Sequence, residues 1–135
     1  MTKKLEIRIG ESVFEATLLE KLAPVTCVTV SKHLPYEGEA VHAGWSGESI
    51  FVPCTTIGNI PQENSTIYGS AGDVVWNATT NNEFFIAYGI AQYRYRFGPL
   101  VCNLFAKITD NLEELNKVFK EMQRKGARKL SVREA

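Results

Sequence analysis

Histidine is scarce in this sequence. The chain has two histidines, His33 and His42, at no ligand spacing, so a zinc site is not expected. Cys27, Cys54 and Cys102 are odd in number and form no C-x-x-C pair. They read as reduced, mostly buried thiols rather than a disulfide framework. No apolar run reaches the ~18 residues that cross a bilayer. The opening MTKKLEIRIG has no apolar signal core. A cytoplasmic protein with no membrane partner is therefore expected, and the sequons at Asn64 and Asn77 carry little meaning. Fifteen basic and fifteen acidic residues cancel. That removes any global pull on nucleic acid. The basic residues between Lys117 and Arg133 alternate with acids, as on a solvated helix face. Gly44-Trp45-Ser46-Gly47 lacks the lysine and helix of a phosphate loop. There is no dinucleotide fingerprint and no G-x-S-x-G elbow. No cofactor is expected. There are no internal repeats and no linker, and 44% hydrophobic with 22% charged residues is ordinary for one domain spanning 1–135.

What the chain does have is short runs of alternating character. Leu5, Ile7 and Ile9 alternate with Lys4, Glu6 and Arg8, and after Gly10 the chain returns through Phe14, Ala16 and Leu18. This predicts an N-terminal hairpin. Residues 23–33 are rich in β-branched side chains, yet Pro24 suits a first helical turn and Pro35 a stop, so a short helix is expected there. Residues 53–68 read as a loop. Strands are expected at 74–77, 83–88, 103–108 and 130–132. Asp110 and Glu113 suggest a capping box before an apolar stripe of Leu112, Leu115, Val118, Phe119 and Met122, with Gly126 just past the end. Seven or eight short antiparallel strands and two helices indicate a barrel or sandwich, with helices able to plug a barrel's open ends.

The organising stretch is EFFIAYGIAQYRYRFGPLVCNLFAKI, from Glu83 to Ile108. If it is extended, Gln92, Arg94 and Arg96 share one side and Tyr93, Tyr95 and Phe97 the other. Two guanidiniums about 6.5–7 Å apart at the backbone suit a small dicarboxylate, because each presents a planar fork of donors. The alternative is a solvated edge strand whose arginines only keep it soluble.

The run GEAVHAGWSGESIFVP predicts a hairpin centred on Ser46-Gly47. A two-residue loop would pair Trp45 with Glu48, Ala43 with Ile50 and Val41 with Val52, all on one face. Glu48 would then lie against an indole, and desolvation would favour its neutral form, as suits a general acid or base. A one-residue slip swaps the faces and puts His42 in the pocket instead. Against these readings stand a satisfied structural histidine and a turn-flanking surface glutamate.

HAGWSGE (42–48), GDVVW (72–76), EFFIAYG (83–89) and GPLVCNLFAKI (98–108), with the closing helix and strand, resemble a group of small bacterial and archaeal proteins with a cyclophilin-like barrel. The resemblance spans nearly the whole chain. It implies a mainly β, closed antiparallel barrel with two helices. The F-x-x-x-Q-G-G-D-F stretch of prolyl isomerases is replaced by Gly89-Ile90-Ala91-Gln92, which argues against that activity. The same fold group includes the cucumopine and mikimopine synthases. These condense L-histidine with 2-oxoglutarate in a Pictet–Spengler-type cyclisation without nicotinamide. The resemblance thus implies an amino acid and a keto acid as small-molecule partners. On it, Arg94 and Arg96 would hold the dicarboxylate. Glu48 or His42 would shuttle protons, with Tyr88 as a hydroxyl donor. Trp45 would wall the pocket, and Gln92 and Asn103 would orient polar groups. A non-catalytic carboxylate-binding module, or another hydrolase or isomerase on the same barrel, remains the alternative. A homodimer is the expected assembly on base rates.

Overall fold

A computed structural model describes residues 3–135. Eight antiparallel strands close a barrel. In chain order they are β1 (Lys4–Ile9), β2 (Ser12–Leu18), β3 (Tyr36–His42), β4 (Gly47–Pro53), β7 (Asp73–Asn77), β8 (Glu83–Gln92), β11 (Cys102–Ile108) and β12 (Arg128–Glu134). Their order around the wall is β2-β1-β12-β3-β4-β8-β7-β11, and β11 returns to β2 through Ala106↔Leu18 and Ile108↔Ala16. Closure removes the free edges that an open sheet of this size would expose. Short pieces decorate the wall: β5 (Ser65–Thr66) on β11, and β6 (Tyr68–Gly69) on β8. A separate two-stranded ribbon joins β9 (Arg94–Tyr95) to β10 (Gly98–Pro99).

The barrel lumen is filled by the alternate residues that the sequence pattern marks. Leu5, Ile7, Ile9, Phe14, Ala16 and Leu18 are all buried in one cluster with Ile50, Val52, Trp76, Ile86 and Tyr88. Burial of this kind contributes roughly 1.5–3 kcal/mol per large side chain. A second, smaller core lies outside the wall. There Val75, Phe85 and Ala87 are covered by Tyr93 and Leu100 of the segment that carries the ribbon.

Helix α1 (Pro24–Lys32) closes one mouth. Its β-branched residues would favour a strand, but Pro24 starts the helix and Thr26, Cys27 and Val30 are buried beneath it. Glu63 caps it from outside, accepting hydrogen bonds from the Thr26 amide and hydroxyl at 2.6 and 2.7 Å. Helix α2 (Leu112–Lys125) closes the other mouth with Leu115, Val118, Phe119 and Met122. The expected Asp110–Glu113 capping box does not form. Asn111 is the N-cap, in the left-handed region at φ 64°, and makes no side-chain cap bond. The last strand, β12, is longer than the three residues expected because it pairs along both β1 and β3. All three cysteines are buried and free, as anticipated.

Gly72 shows how tightly the wall is drawn at the α2 end. It sits at φ +94°, and a Cβ there would collide with the Ile108 carbonyl oxygen. Gly72→Ala is expected to lower the melting temperature well beyond an ordinary surface glycine substitution. A control at Gly58, where φ is +90° but nothing lies within 4 Å, separates the collision from the backbone strain. Equal losses at both positions would refute the collision.

Candidate functional site

The expected site residues other than Gln92 divide among three places. The first is an open cleft of about 590 Å³ on the outside of the wall, lined by Trp45, Thr80, Asn82, Glu83, Arg94, Tyr95 and Arg96. The second is the α2 mouth of the barrel, where His42, Tyr88 and Glu48 meet. The third is the α1 mouth, where Asn103 is engaged.

The cleft exists because the chain folds back at Gln92. Tyr93 is wholly buried in the outer core, and Leu100 donates its amide to the Tyr93 carbonyl at 2.8 Å. Those two anchors hold the ribbon against the wall. Tyr95 packs on the same core, so Arg94 and Arg96 project outward, as the period-2 alternation predicted. The alternation fails at its ends. Phe97 is 74% exposed at the ribbon's tip, with the Arg96 guanidinium 4.8 Å from its ring centre. Gln92 pairs with Tyr68 and does not line the cleft. Among the described residues, neither arginine forms an ion pair with a carboxylate.

Glu83 lines the same cleft. It begins β8 opposite Pro53, on the outward parity shared with Phe85 and Ala87. Asn77 donates to its Oε2 at 2.9 Å, and the Asn77 Oδ1 in turn accepts the Thr79 amide at 3.0 Å. Burial raises the Glu83 pKa above its ordinary 4.5, and the Asn77 bond only partly offsets this. Sequence reading missed Glu83. The available signal was its parity: a carboxylate in register with outward-facing apolar residues, at the head of a strand whose next five residues are buried.

The register of the β3–β4 hairpin corrects the two-residue loop. The connection is a 3-10 turn over Gly44–Ser46, and Gly47 follows at φ 93°. Val41 faces Phe51 and His42 faces Ile50. The strands are therefore slipped by one residue from the expected Val41–Val52 and Ala43–Ile50 pairs. His42 joins the lumen side with Ile50. Its Nε2 lies 2.6 Å from the Tyr88 hydroxyl. Trp45 and Glu48 part company. The Trp45 ring lies 5.5 Å from the Phe51 ring on the outer face. Glu48 turns to β8, where its Oε1 accepts the Ile90 amide at 3.1 Å across a bulge. A side chain at Gly89 would strike that carboxylate. Burial lowers the His42 pKa below 6.5. Burial first, and then the Glu48 charge, raise that of Tyr88. Tyr88 thus stays a phenol, and His42 stays neutral at pH 7.

This sets a pH dependence. A histidine whose folded pKa is depressed binds its proton less readily in the fold than in the unfolded chain. Its stability contribution is complete above 6.5 and is lost as pH falls below that value. Thermal melts from pH 7.5 to 5 should therefore show a steeper acid loss for the wild type than for His42→Gln. Parallel curves would exclude His42 as the cause.

Asn103 is committed elsewhere. Its Nδ2 donates to Thr26 Oγ1 and the Pro61 carbonyl, both at 3.0 Å, and its Oδ1 accepts the Glu63 amide at 3.1 Å. It ties α1 and the 53–68 loop to β11. Asn103→Leu should cost about 2–3 kcal/mol of stability, because three hydrogen bonds are lost and the Thr26 hydroxyl left behind is buried. Urea denaturation would read this as a shift in midpoint at unchanged slope. The void beneath α1, among Leu5, Val30, Trp76 and Phe105, measures only about 20 Å³ and is apolar. It has room for at most one water and no polar groups to hold one.

The protein is a cyclophilin-like β-barrel. The chain is similar to the structure of McbB in complex with tryptophan, at TM-score 0.75 and 15% identity. That match covers 96% of this chain but only 44% of McbB, so the chain spans less than half of that protein's length. It is similar to the solution structure of the hypothetical protein AF2241 from Archaeoglobus fulgidus, at TM-score 0.68 and 20% identity, covering 99% of this chain and 95% of the other. It is also similar to a cyclophilin-type peptidyl-prolyl cis-trans isomerase of Cryptosporidium parvum, at TM-score 0.60 and 14% identity, covering 100% and 98%. No curated protein matches the chain. Residues 5–133 match the family model DUF3830, described as a protein of unknown function, and the chain belongs to that family. No helix among the described residues is long and apolar enough to cross a membrane.

Proposed function

We propose that the outer cleft is the active site of a cofactor-independent enzyme that condenses an amino acid with a dicarboxylic 2-oxo acid and cyclises the product. One observation carries this reading. A carboxyl group with a raised pKa, Glu83, lines the same cleft as two arginines without carboxylate partners. A module that only binds needs the arginines and an aromatic wall. A half-buried, Asn77-oriented carboxylate adds an acid–base group, and such groups cluster where chemistry is done.

The chemistry runs as follows for L-histidine and 2-oxoglutarate, the pair that fits the residues best. The guanidiniums of Arg94 and Arg96 bind carboxylates and fix the two substrates side by side. The free amine attacks the keto carbon, and water leaves to give an imine. A carbon of the imidazole ring then bonds to the imine carbon, and the imine nitrogen takes a proton. Glu83, as carboxylate, removes the proton from the ring carbon that has formed the new bond and restores aromaticity. The product is the sum of both substrates less one water. Trp45 offers a flat wall for the ring. That McbB has been captured with tryptophan, an amino acid with a fused aromatic ring, supports including ring-bearing amino acids among the substrates.

Proton transfer is thus assigned to Glu83 rather than to His42, Glu48 or Tyr88. Those three meet at the α2 mouth, and His42 and Tyr88 lie on the lumen side of the wall from the cleft. Prolyl isomerisation is not part of this reading. Neither nucleic acid nor a membrane is required as partner, and the three buried thiols suit a reducing cytoplasm.

The test is incubation of the protein with 2-oxoglutarate and L-histidine or L-tryptophan, without nicotinamide, followed by mass spectrometry. A protein-dependent product short by one water supports the reading. If the R94A/R96A double variant binds 2-oxoglutarate as well as the wild type, the reading is wrong. Binding without any product would reduce the cleft to a carboxylate-binding module.

A further inference from the structure

We infer that Ser46 is a positioning residue for the cleft, locking Arg94 and Trp45 into one unit. The inference rests on the reading of the cleft given above. Beyond Gln92 the chain leaves the barrel wall, and Arg94, in β9, has no counterpart to the β4 pairing that β8 makes up to Ala91. Side chains of the 3-10 turn take the place of that pairing. The Arg94 amide donates to Ser46 Oγ at 3.0 Å. Ser46 Oγ donates back to the Arg94 carbonyl at 3.3 Å. A single hydroxyl thereby serves one donor and one acceptor of the main chain, as a ladder rung would. The indole Nε1 of Trp45 donates to the same Arg94 carbonyl at 2.9 Å.

The consequence is geometric. Ser46 is 2% exposed and does not line the cleft, so it has no direct route to a ligand. Yet it fixes the main chain from which Arg94 projects, and that carbonyl in turn fixes the plane of the Trp45 ring. The separation between the aromatic wall and the first guanidinium is therefore set by the turn, not by either side chain alone. Bidentate recognition of a carboxylate tolerates little displacement. Loosening this unit should harm selection for a second carboxylate more than it harms general anion attraction.

Two variants, Ser46→Ala and Trp45→Phe, remove one half of the lock each and leave both arginines in place. Affinities for 2-oxoglutarate and for pyruvate are measured by calorimetry, beside R94A. The S46A protein is expected to bind 2-oxoglutarate about three- to tenfold more weakly, with a smaller change for pyruvate. Its tryptophan emission should become more accessible to iodide. Trp45 is 56% exposed, whereas Trp76 is buried and bonded to Asn81, so the change reports on Trp45. W45F should show the same loss of selectivity while keeping an aromatic wall. If R94A loses 2-oxoglutarate but S46A and W45F keep wild-type selectivity, the lock is refuted and the cleft stands. The lock is equally refuted if S46A lowers only the melting temperature. If R94A itself changes nothing, the cleft reading falls and takes this inference with it.

Discussion

Glu83→Gln is expected to lower the condensation rate by about 10²–10⁴-fold while leaving 2-oxoglutarate affinity close to wild type. The arginines that would bind the dicarboxylate are untouched, and glutamine keeps an oxygen that accepts the Asn77 bond. What it lacks is the ability to take a proton from the cyclised ring. Two further consequences follow from the direction of the Glu83 shift. As a base it works only when ionised, so the rate should rise with pH through a pKa above 4.5. Asn77→Asp removes the donor that favours the ionised form and adds a second acid beside it, so this acid limb should move to higher pH. Stability should move the opposite way from activity. A carboxyl whose folded pKa is raised gives its full contribution below 4.5 and loses it as pH rises through the folded value. The E83Q protein should therefore melt higher than wild type near pH 7 and show little gain near pH 4. That pairing of lost rate with gained stability is characteristic of a strained functional group. An E83Q protein that turns over at the wild-type rate would end the assignment, whatever its melting temperature.

Phe119→Ala should be the most damaging single truncation at the α2 mouth. Its ring is fully buried, 6.2 Å from the ring of Phe14 on β2 and 6.2 Å from that of Tyr88 on β8. It thus joins α2 to two strands well separated around the wall. Truncation leaves a cavity the closed barrel cannot collapse around, at a cost of about 3–5 kcal/mol. Against a total of roughly 5–15 kcal/mol for a domain, this is a large fraction, and a fall in melting temperature of about 10 °C or more is expected. Phe119→Leu should cost far less. The two effects meet at one residue, because Asn116, one turn earlier, donates to the Tyr88 carbonyl at 3.3 Å. Truncating Phe119 should therefore also release Tyr88 and its bond to His42. Solution NMR would show this as a His42 pKa moving back up toward 6.5. A melting-temperature loss under about 3 °C would mean that α2 is not a plug.

Local pattern by itself determined a good deal of this protein. Alternation at Leu5, Ile7 and Ile9, and again at Phe14, Ala16 and Leu18, marked the lumen face, because a strand's side chains have a period of two wherever it lies. The stripe from Leu115 to Met122 marked the packed face of α2 for the same reason at a helical period. Arg94 and Arg96 were legible as an outward pair. The helix at Pro24–Lys32 was legible through its prolines, against its β-branched residues, of which Thr26 and Val30 are buried at the mouth while Val25 and Val28 are exposed.

Tertiary structure alone decided the rest. Which of His42 and Glu48 faces inward depended on a turn of three residues rather than two, and one residue of register exchanges every face in a strand. Trp45 and Glu48, neighbours in a two-residue hairpin, were separated by a bulge in β8. Asn103 was a free amide in the sequence and proved fully bonded, because its partners come from 40 or more positions away. Glu83 joined the arginines only because Tyr93 and Leu100 fold the ribbon back over the outer core. Long-range closure of this kind leaves no local period, so a strand-initial glutamate and an arginine pair carry no mark in the sequence that they share one cleft.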